Sequence, residues 1–361
     1  MPTPSPSAPP APTPAFRAVA LQTRTRAVNA LGTDEARAAI VDAIDRIGAQ
    51  VAAAVSWHGP DTRLVVLPEY ALTGFPMGDT IEGWAAKAAL APDGPEYDRF
   101  AAVAQRHRIH LATNAYETDP HYPGLYFQAT VVFGPTGATV LRYRRLHSLY
   151  TPSPYDVWDS YLDHYGLDAV LPVARTAIGN LAAAASEEIL YPELFRALAF
   201  RGAEVFLHPT GEATSPDPTV KELARRCRAA ENIAAVVTAN SAGITGIPLS
   251  GDSTDGHSEI VDHTGRSLAR AASGESLVAA AEIDLAALRR ERLRPSMSNL
   301  PARVKSALWA SEYAAHPGDE PNGLKGVAPE RAFFAARHAD NIARAYRSAH
   351  PTTDPGDREQ P

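Results

Sequence analysis

Between Arg63 and Glu69 the chain reads Arg-Leu-Val-Val-Leu-Pro-Glu. The centre of that run, Leu64 to Leu67, is apolar on both faces of an extended segment, and such a strand is stable only where layers cover it on each side. Upstream, Ile40, Ile44, Ile47 and Val51 recur at i, i+4, i+7 and i+11, one stripe of a helix. Thr33 stands where a cap for that helix is expected.

The rest of the chain repeats this alternation. Phe16 to Thr23 reads as a short apolar strand, Glu96 to His107 as a helix, and Ile109 to Glu117 as another strand. Segments Tyr126–Phe133 and Thr139–His147 flank Gly134-Pro135-Thr136-Gly137, a turn signature that predicts a hairpin. Leu181 to Ala185 is a further strand, and Pro192 and Gly202 bracket a helix in the expected Pro-start, Gly-stop order. A strand over Glu204–Pro209, a helix over Thr219–Asn232, and strands at Ala234–Asn240, Ser258–Asp262 and Leu277–Asp284 follow. Alternating strands and helices with inserted hairpins predict an α/β domain of covered sheets. Past Leu285 the chain turns polar and helical. Pro329–Tyr346 reads as an amphipathic helix with Phe334, Ile342 and Tyr346 near one stripe, able to wrap either its own body or a second subunit. The expected organisation is a Pro-rich tail at 1–15, a main domain at 16–293, a helical extension at 294–350 and a second loose end at 351–361.

Bulk properties narrow the function. A chain of 361 residues, 45% hydrophobic, can bury one large core or two ordinary ones. A net charge of −7 with no basic block argues against nucleic acid as a partner. The single cysteine, Cys227, excludes an internal disulfide and a multi-cysteine metal site. No apolar run approaches the ~18 residues of a membrane span. The opening residues lack the basic start and apolar stretch of a signal peptide, so a cytoplasmic protein is expected.

Three segments place a polar residue where a buried strand ends. Glu69 ends LVVLPE, Arg145 lies in LRYRRLH with Tyr143 and His147 on its face by period two, and Ser186 ends LAAAAS. In layered α/β folds ligands gather at the carboxyl ends of strands. There a carboxylate can act as general base, a hydroxyl can attack, and a fixed cation can stabilise an oxyanion. Taken singly, each has a plainer reading: a surface carboxylate for Glu69, a cap or turn for Ser186.

Longer patterns resemble one family. LPEYALTGF, LRYRRLH and IGNLAAAASEEILYPELFRALAFRGAEVFLHPT are similar to the three motifs of the nitrilase superfamily, the carbon–nitrogen hydrolases. RAAENIAAVVTANSAG, GHSEIVDHTGR and AEIDLAALRRER resemble its later helix and closing strands, and the six matches run in order from about Phe16 to Leu293. The resemblance implies a four-layer αββα sandwich, commonly paired into a homodimer or higher homo-oligomer, acting on a small-molecule substrate. It also implies a Glu-Lys-Cys triad, and this chain departs from it. Counting six back from Pro192 gives Ser186 where the family has Cys, and Arg145 falls where it has Lys. Lys87, Lys221, Lys305 and Lys325 lie outside these motifs, and Cys227 reads as a helix residue. The triad therefore maps to Glu69, Arg145 and Ser186. Asp156 is the match for a second family carboxylate that holds substrate, and Glu188, at the acidic position two after the nucleophile, is likewise expected to bind substrate. Asp156 reads equally as a turn carboxylate beside Pro154. Glu187 adds a charge where the family often has an aromatic. His147 resembles a residue packed beside the pocket, with no catalytic or metal role, and no cofactor is expected.

Serine needs a base where cysteine is partly ionised, and arginine cannot give up a proton as lysine can. Two readings follow. In one, the protein is an enzyme acting on a non-peptide amide, carbamoyl or nitrile group, with Ser186 attacking or merely orienting a water. In the other, it is an inactive homologue that binds a small ligand or a protein through the same pocket.

Overall fold

A computed structural model describes residues 15–213, 215–316 and 318–347, excepting the side chains of 346 and 347. The expected loose ends thus lie almost wholly outside the described residues, as does the Tyr346 side chain. Two six-stranded sheets dominate. The first runs Ala280–Ile283, Phe16–Ala20, Thr62–Val66, His110–Thr118, Tyr126–Phe133, Thr139–Arg144. The second runs Ser267–Arg270, Glu259–Val261, Ala235–Ala239, Val205–Pro209, Gly179–Ala183, Ala174–Thr176. Each has a parallel centre flanked by antiparallel strands.

Side-chain alternation sorts the layers. Ala18, Ala20, Leu64 and Val66 turn toward the second sheet and share a core with Leu181, Leu207 and Val237. Their neighbours Val19, Val65 and Leu111 turn outward onto Ile40, Ile44, Ile47 and Val51 of helix Thr33–His58. Helices Pro192–Phe200 and Val220–Asn232 cover the far side of the second sheet through Leu194, Phe195, Leu198 and Ala229. The result is the four-layer αββα sandwich.

Local departures have physical reasons. Gly32, not Thr33, is the cap of the first helix; its extended backbone (ψ 165°) sits outside the helix, and Thr33 is already helical. Regular pairing ends at Val66 and, in the second-motif strand, at Arg144, so Glu69, Arg145 and His147 lie on the loops beyond. Helix Trp158–Val170 is hidden in the sequence because Gly166, at φ 71°, kinks it and breaks its period. The short strand Ser267–Arg270 and helix Ile81–Ala88 also lack a clear signature.

Helix Arg331–Arg347 packs on its own body. Phe334 and Leu324 enter the helix-side core, and Arg337 pairs with Asp156 at 2.7 Å and Asp319 at 2.8 Å. Arg331 donates to the Tyr150 carbonyl at 2.8 Å and the Tyr126 hydroxyl at 3.2 Å. Ile342 stays half exposed, so of the two stripe residues whose side chains are described only Phe334 is buried. Among the described residues, no helix is long and apolar enough to cross a membrane.

Candidate active site

Ser186 sits at a sharp corner. Strand Gly179–Ala183 ends, two residues pass, and Ser186 adopts φ 54° before a short 3₁₀ turn, Ser186–Leu190, and the Pro192 helix. That left-handed conformation costs a non-glycine residue roughly 1–3 kcal/mol and needs support. Glu188 supplies it. Its fully buried carboxylate accepts the Ala185 N–H at 2.9 Å, the Tyr143 hydroxyl at 2.6 Å, and the Leu146 and His147 N–H groups at 2.9 and 3.1 Å. Burial works to raise this carboxyl, but hydrogen bonding from His147 and the Arg145 charge outweigh it and hold it below the usual glutamate value. The Tyr143 phenol is pushed well up by burial and by Glu188. Glu188 thus ties the Ser186 corner to the second-motif strand; its oxygens are spent on that tie rather than directed at a substrate.

The strand before the corner depends on Gly179. At φ 96°, a β-carbon there would come within 2.9 Å of Leu285 Cδ1, so the tight approach of the closing helix requires glycine.

Glu69 and Arg145 meet directly. Arg145 Nη1 donates to Glu69 Oε1 at 3.1 Å, to Gln128 Oε1 at 2.6 Å and to the Tyr70 hydroxyl at 3.4 Å, while its Nε donates to the His147 carbonyl at 2.9 Å. Its Nη2 pairs with Glu187. Gln128 Nε2 donates to Glu69 Oε1 at 2.8 Å, and the Gly211 N–H donates to Oε2, also at 2.8 Å. Burial alone would lower the guanidinium pKa, but Tyr70, Glu187 and Glu69 hold it well above its ordinary value. Burial and the Glu69 charge push the Tyr70 phenol well up. Its neighbour Arg144 points elsewhere, into Glu117 at 2.8 Å and onto Asp119.

Ser186 joins this cluster through its neighbour, since Glu187 is the residue paired with Arg145. On its other side stand residues that motif reasoning did not single out. Lys221 Nζ donates to Ser186 Oγ at 3.1 Å, and His208 Nε2 lies 2.8 Å from the Ser186 carbonyl oxygen. Burial, then the nearby Arg225 charge, depress His208 well below the ordinary histidine value. A neutral ring that donates from Nε2 leaves Nδ1 to accept from Thr238 Oγ1 at 3.1 Å. Lys221 lies on helix Val220–Asn232, whose start is capped by Thr219 accepting the Glu222 N–H. The helix is anchored by the fully buried Arg225, which pairs with Glu212 and, at 3.7 Å, with Glu259.

Asp156 lies apart from these groups. It accepts from the Ser153 N–H and hydroxyl, each at 2.8 Å, and pairs with Arg337. Burial outweighs those bonds and raises its carboxyl. It lines a cavity of about 790 Å³ beneath the C-terminal helix, with Trp158, Leu171 and Phe334, and the inner wall carries His147, Glu187 and Tyr191. His147 and Tyr191 stack there, ring centres 3.8 Å apart. Cys227 is exposed on its helix.

The model of the carbon-nitrogen hydrolase family matches residues 25–292. The chain belongs to that family. Sequence relatives of this chain are distant. A probable nitrilase of Schizosaccharomyces pombe is 24% identical over 57% of this chain and 70% of its own length. A formamidase of Bacillus cereus is 26% identical over 52% of this chain and 53% of its own length, so the chain spans about half of that relative. Among solved structures, a carbon-nitrogen hydrolase from Helicobacter pylori is 21% identical with a TM-score of 0.62, covering 82% of this chain and 98% of that one. A nitrilase-superfamily protein of Saccharomyces cerevisiae gives a TM-score of 0.59 at 20% identity, over 77% and 93% of the two chains. These likenesses fix the nitrilase-type α/β fold.

Of the residues singled out in the sequence, Glu69 and Arg145 are in direct contact, Ser186 adjoins them through Glu187, Glu188 braces the corner, and Asp156 faces the cavity. Gln128, Tyr70, His208 and Lys221 were missed. Gln128 had one available signal, a polar residue inside the otherwise apolar run Tyr126–Phe133. Lys221 had none, because it reaches Ser186 across 35 residues of chain.

Proposed function

We propose that this family member hydrolyses a non-peptide C–N bond in a small molecule, an amide, carbamoyl or nitrile group, with Ser186 as the attacking residue. The observation that carries this reading is the Ser186 corner itself. A hydroxyl held on a left-handed backbone, braced by a fully buried carboxylate and beside a Glu–Arg pair, is an expensive arrangement for a mere turn. In this reading Glu69 assists proton transfer, and the main-chain N–H groups that follow Ser186 help hold the oxyanion. Arg145 contributes through Nη2, which an oxyanion can take only after displacing Glu187. Glu187, with a side chain 36% exposed, is the partner able to leave. The nitrilase and formamidase relatives support small acyl or nitrile substrates.

A ligand-binding protein without turnover is the second reading. It is favoured by the Glu69–Arg145–Glu187 chain of charges, which is already complete without a substrate. Ammonia release from a panel of short amides, nitriles and carbamoyl compounds separates the two. The enzyme reading expects turnover that Ser186→Ala and Glu69→Gln each abolish. Turnover seen only in Ser186→Cys/Arg145→Lys would make the natural site a binding site.

A further inference from the structure

We infer that Lys221 is the proton acceptor for Ser186. The inference rests on the proposed nucleophilic role of Ser186 and supplies what that role lacks. A serine hydroxyl attacks only with a base against it, and Glu69, the expected base, is already bonded by Gln128, Arg145 and the Gly211 N–H. His208 faces the Ser186 carbonyl rather than its hydroxyl, so it is turned away from this task. Lys221 Nζ is 3.1 Å from Oγ, within the reach required of a general base. Arginine could not replace it as acceptor, since a guanidinium keeps its proton. The lysine missing from the second motif is therefore compensated from a different element, the first turn of helix Val220–Asn232.

As the structure stands, the ammonium donates to Oγ; the amine left by loss of one proton would accept the hydroxyl hydrogen along the same line. Oγ then bonds to the substrate carbon as its proton passes to Nζ. The C–N bond breaks as the oxyanion collapses, and the leaving nitrogen takes that proton. Water attacks the resulting ester and returns its proton by the same amine, restoring Ser186. The titratable and charged groups around Lys221 are the neutral His208 on strand Val205–Pro209, Glu212 on the preceding loop, and Glu222 and Arg225 on the helix that carries Lys221. Glu212 is raised by its burial, against the pull of Arg225 and Lys221.

A fluorophosphonate serves as probe, because it reports serine nucleophilicity without knowledge of the substrate. Intact-mass spectrometry follows the labelling rate against pH, and peptide mapping places the adduct. The expected result is labelling at Ser186 in the wild type, rising with pH, and a rate at least about 100-fold lower in both Lys221→Met and Lys221→Arg, the size of a general-base contribution. Circular dichroism checks that both variants fold. Lys221→Met labelling within about threefold of wild type would overturn the inference while leaving Ser186 a nucleophile, since that is far below a general-base effect. Full labelling in Lys221→Arg would reduce Lys221 to a fixed charge and overturn the proton transfer. A wild-type chain that never labels at Ser186 would sink the nucleophilic reading itself.

Discussion

Replacing Arg145 with Met removes the group that holds the Glu69 and Glu187 carboxylates together. The side chains of Arg145 and Glu69 are 5% and 0% exposed, 3.1 Å apart. At an effective dielectric of about 20 their attraction is about 5 kcal/mol before desolvation is counted. Much of that offsets the cost of burying both charges, so the pair's net worth against an apolar pair is small. Removing one partner is different, because Glu69 is then left buried and uncompensated. That costs about 3–5 kcal/mol. Arg145→Met should therefore lower unfolding stability by this amount in urea titrations followed by circular dichroism. Glu69→Gln in the same background removes the stranded charge, and the double variant should be about 2 kcal/mol more stable than the sum of the single effects predicts. A loss below about 1 kcal/mol for Arg145→Met, or additivity within about 0.5 kcal/mol, would show that the two groups do not share one buried site.

Other expectations follow from neighbouring groups. His208 is held neutral well below its ordinary value, so the unfolded chain binds the proton first as pH falls. Its contribution to stability is therefore full above pH ~6.5 and is lost on acidification, by up to about 1.4 kcal/mol per pH unit; His208→Gln should flatten this part of the urea-derived stability curve, and an unchanged slope would contradict the assignment. Glu187→Ala should free Arg145 Nη2 and tighten binding of small carboxylate inhibitors in calorimetry. Unchanged or weaker binding would show that Glu187 does not compete for that position.

The sandwich was legible because its strands carry the signal locally. Leu64 to Leu67 are all buried, and the Ile40, Ile44, Ile47, Val51 stripe faces the first sheet as its spacing requires. Glu69, Arg145 and Ser186 were visible because each follows a strand end. What stayed hidden depends on long-range packing or on a broken period. Glu188 looked like a substrate ligand, but only the fold reveals that Tyr143 and three main-chain N–H groups converge on it. Asp156 could not be foreseen as the seat of Arg337, which arrives 181 residues later. Lys221 was set aside because it lies outside the motifs, and the buried Arg225–Glu212 pair that anchors its helix near Ser186 leaves no local pattern.

In the proposed reaction the oxygen of Ser186 takes on the acyl group. Mixing the full chain with a short amide, quenching in acid within milliseconds, and mapping peptides by mass would test it most directly. An acyl ester is expected on the peptide bearing Ser186, absent from Ser186→Ala. Product formed with no such ester, and undiminished in Ser186→Ala, would contradict it.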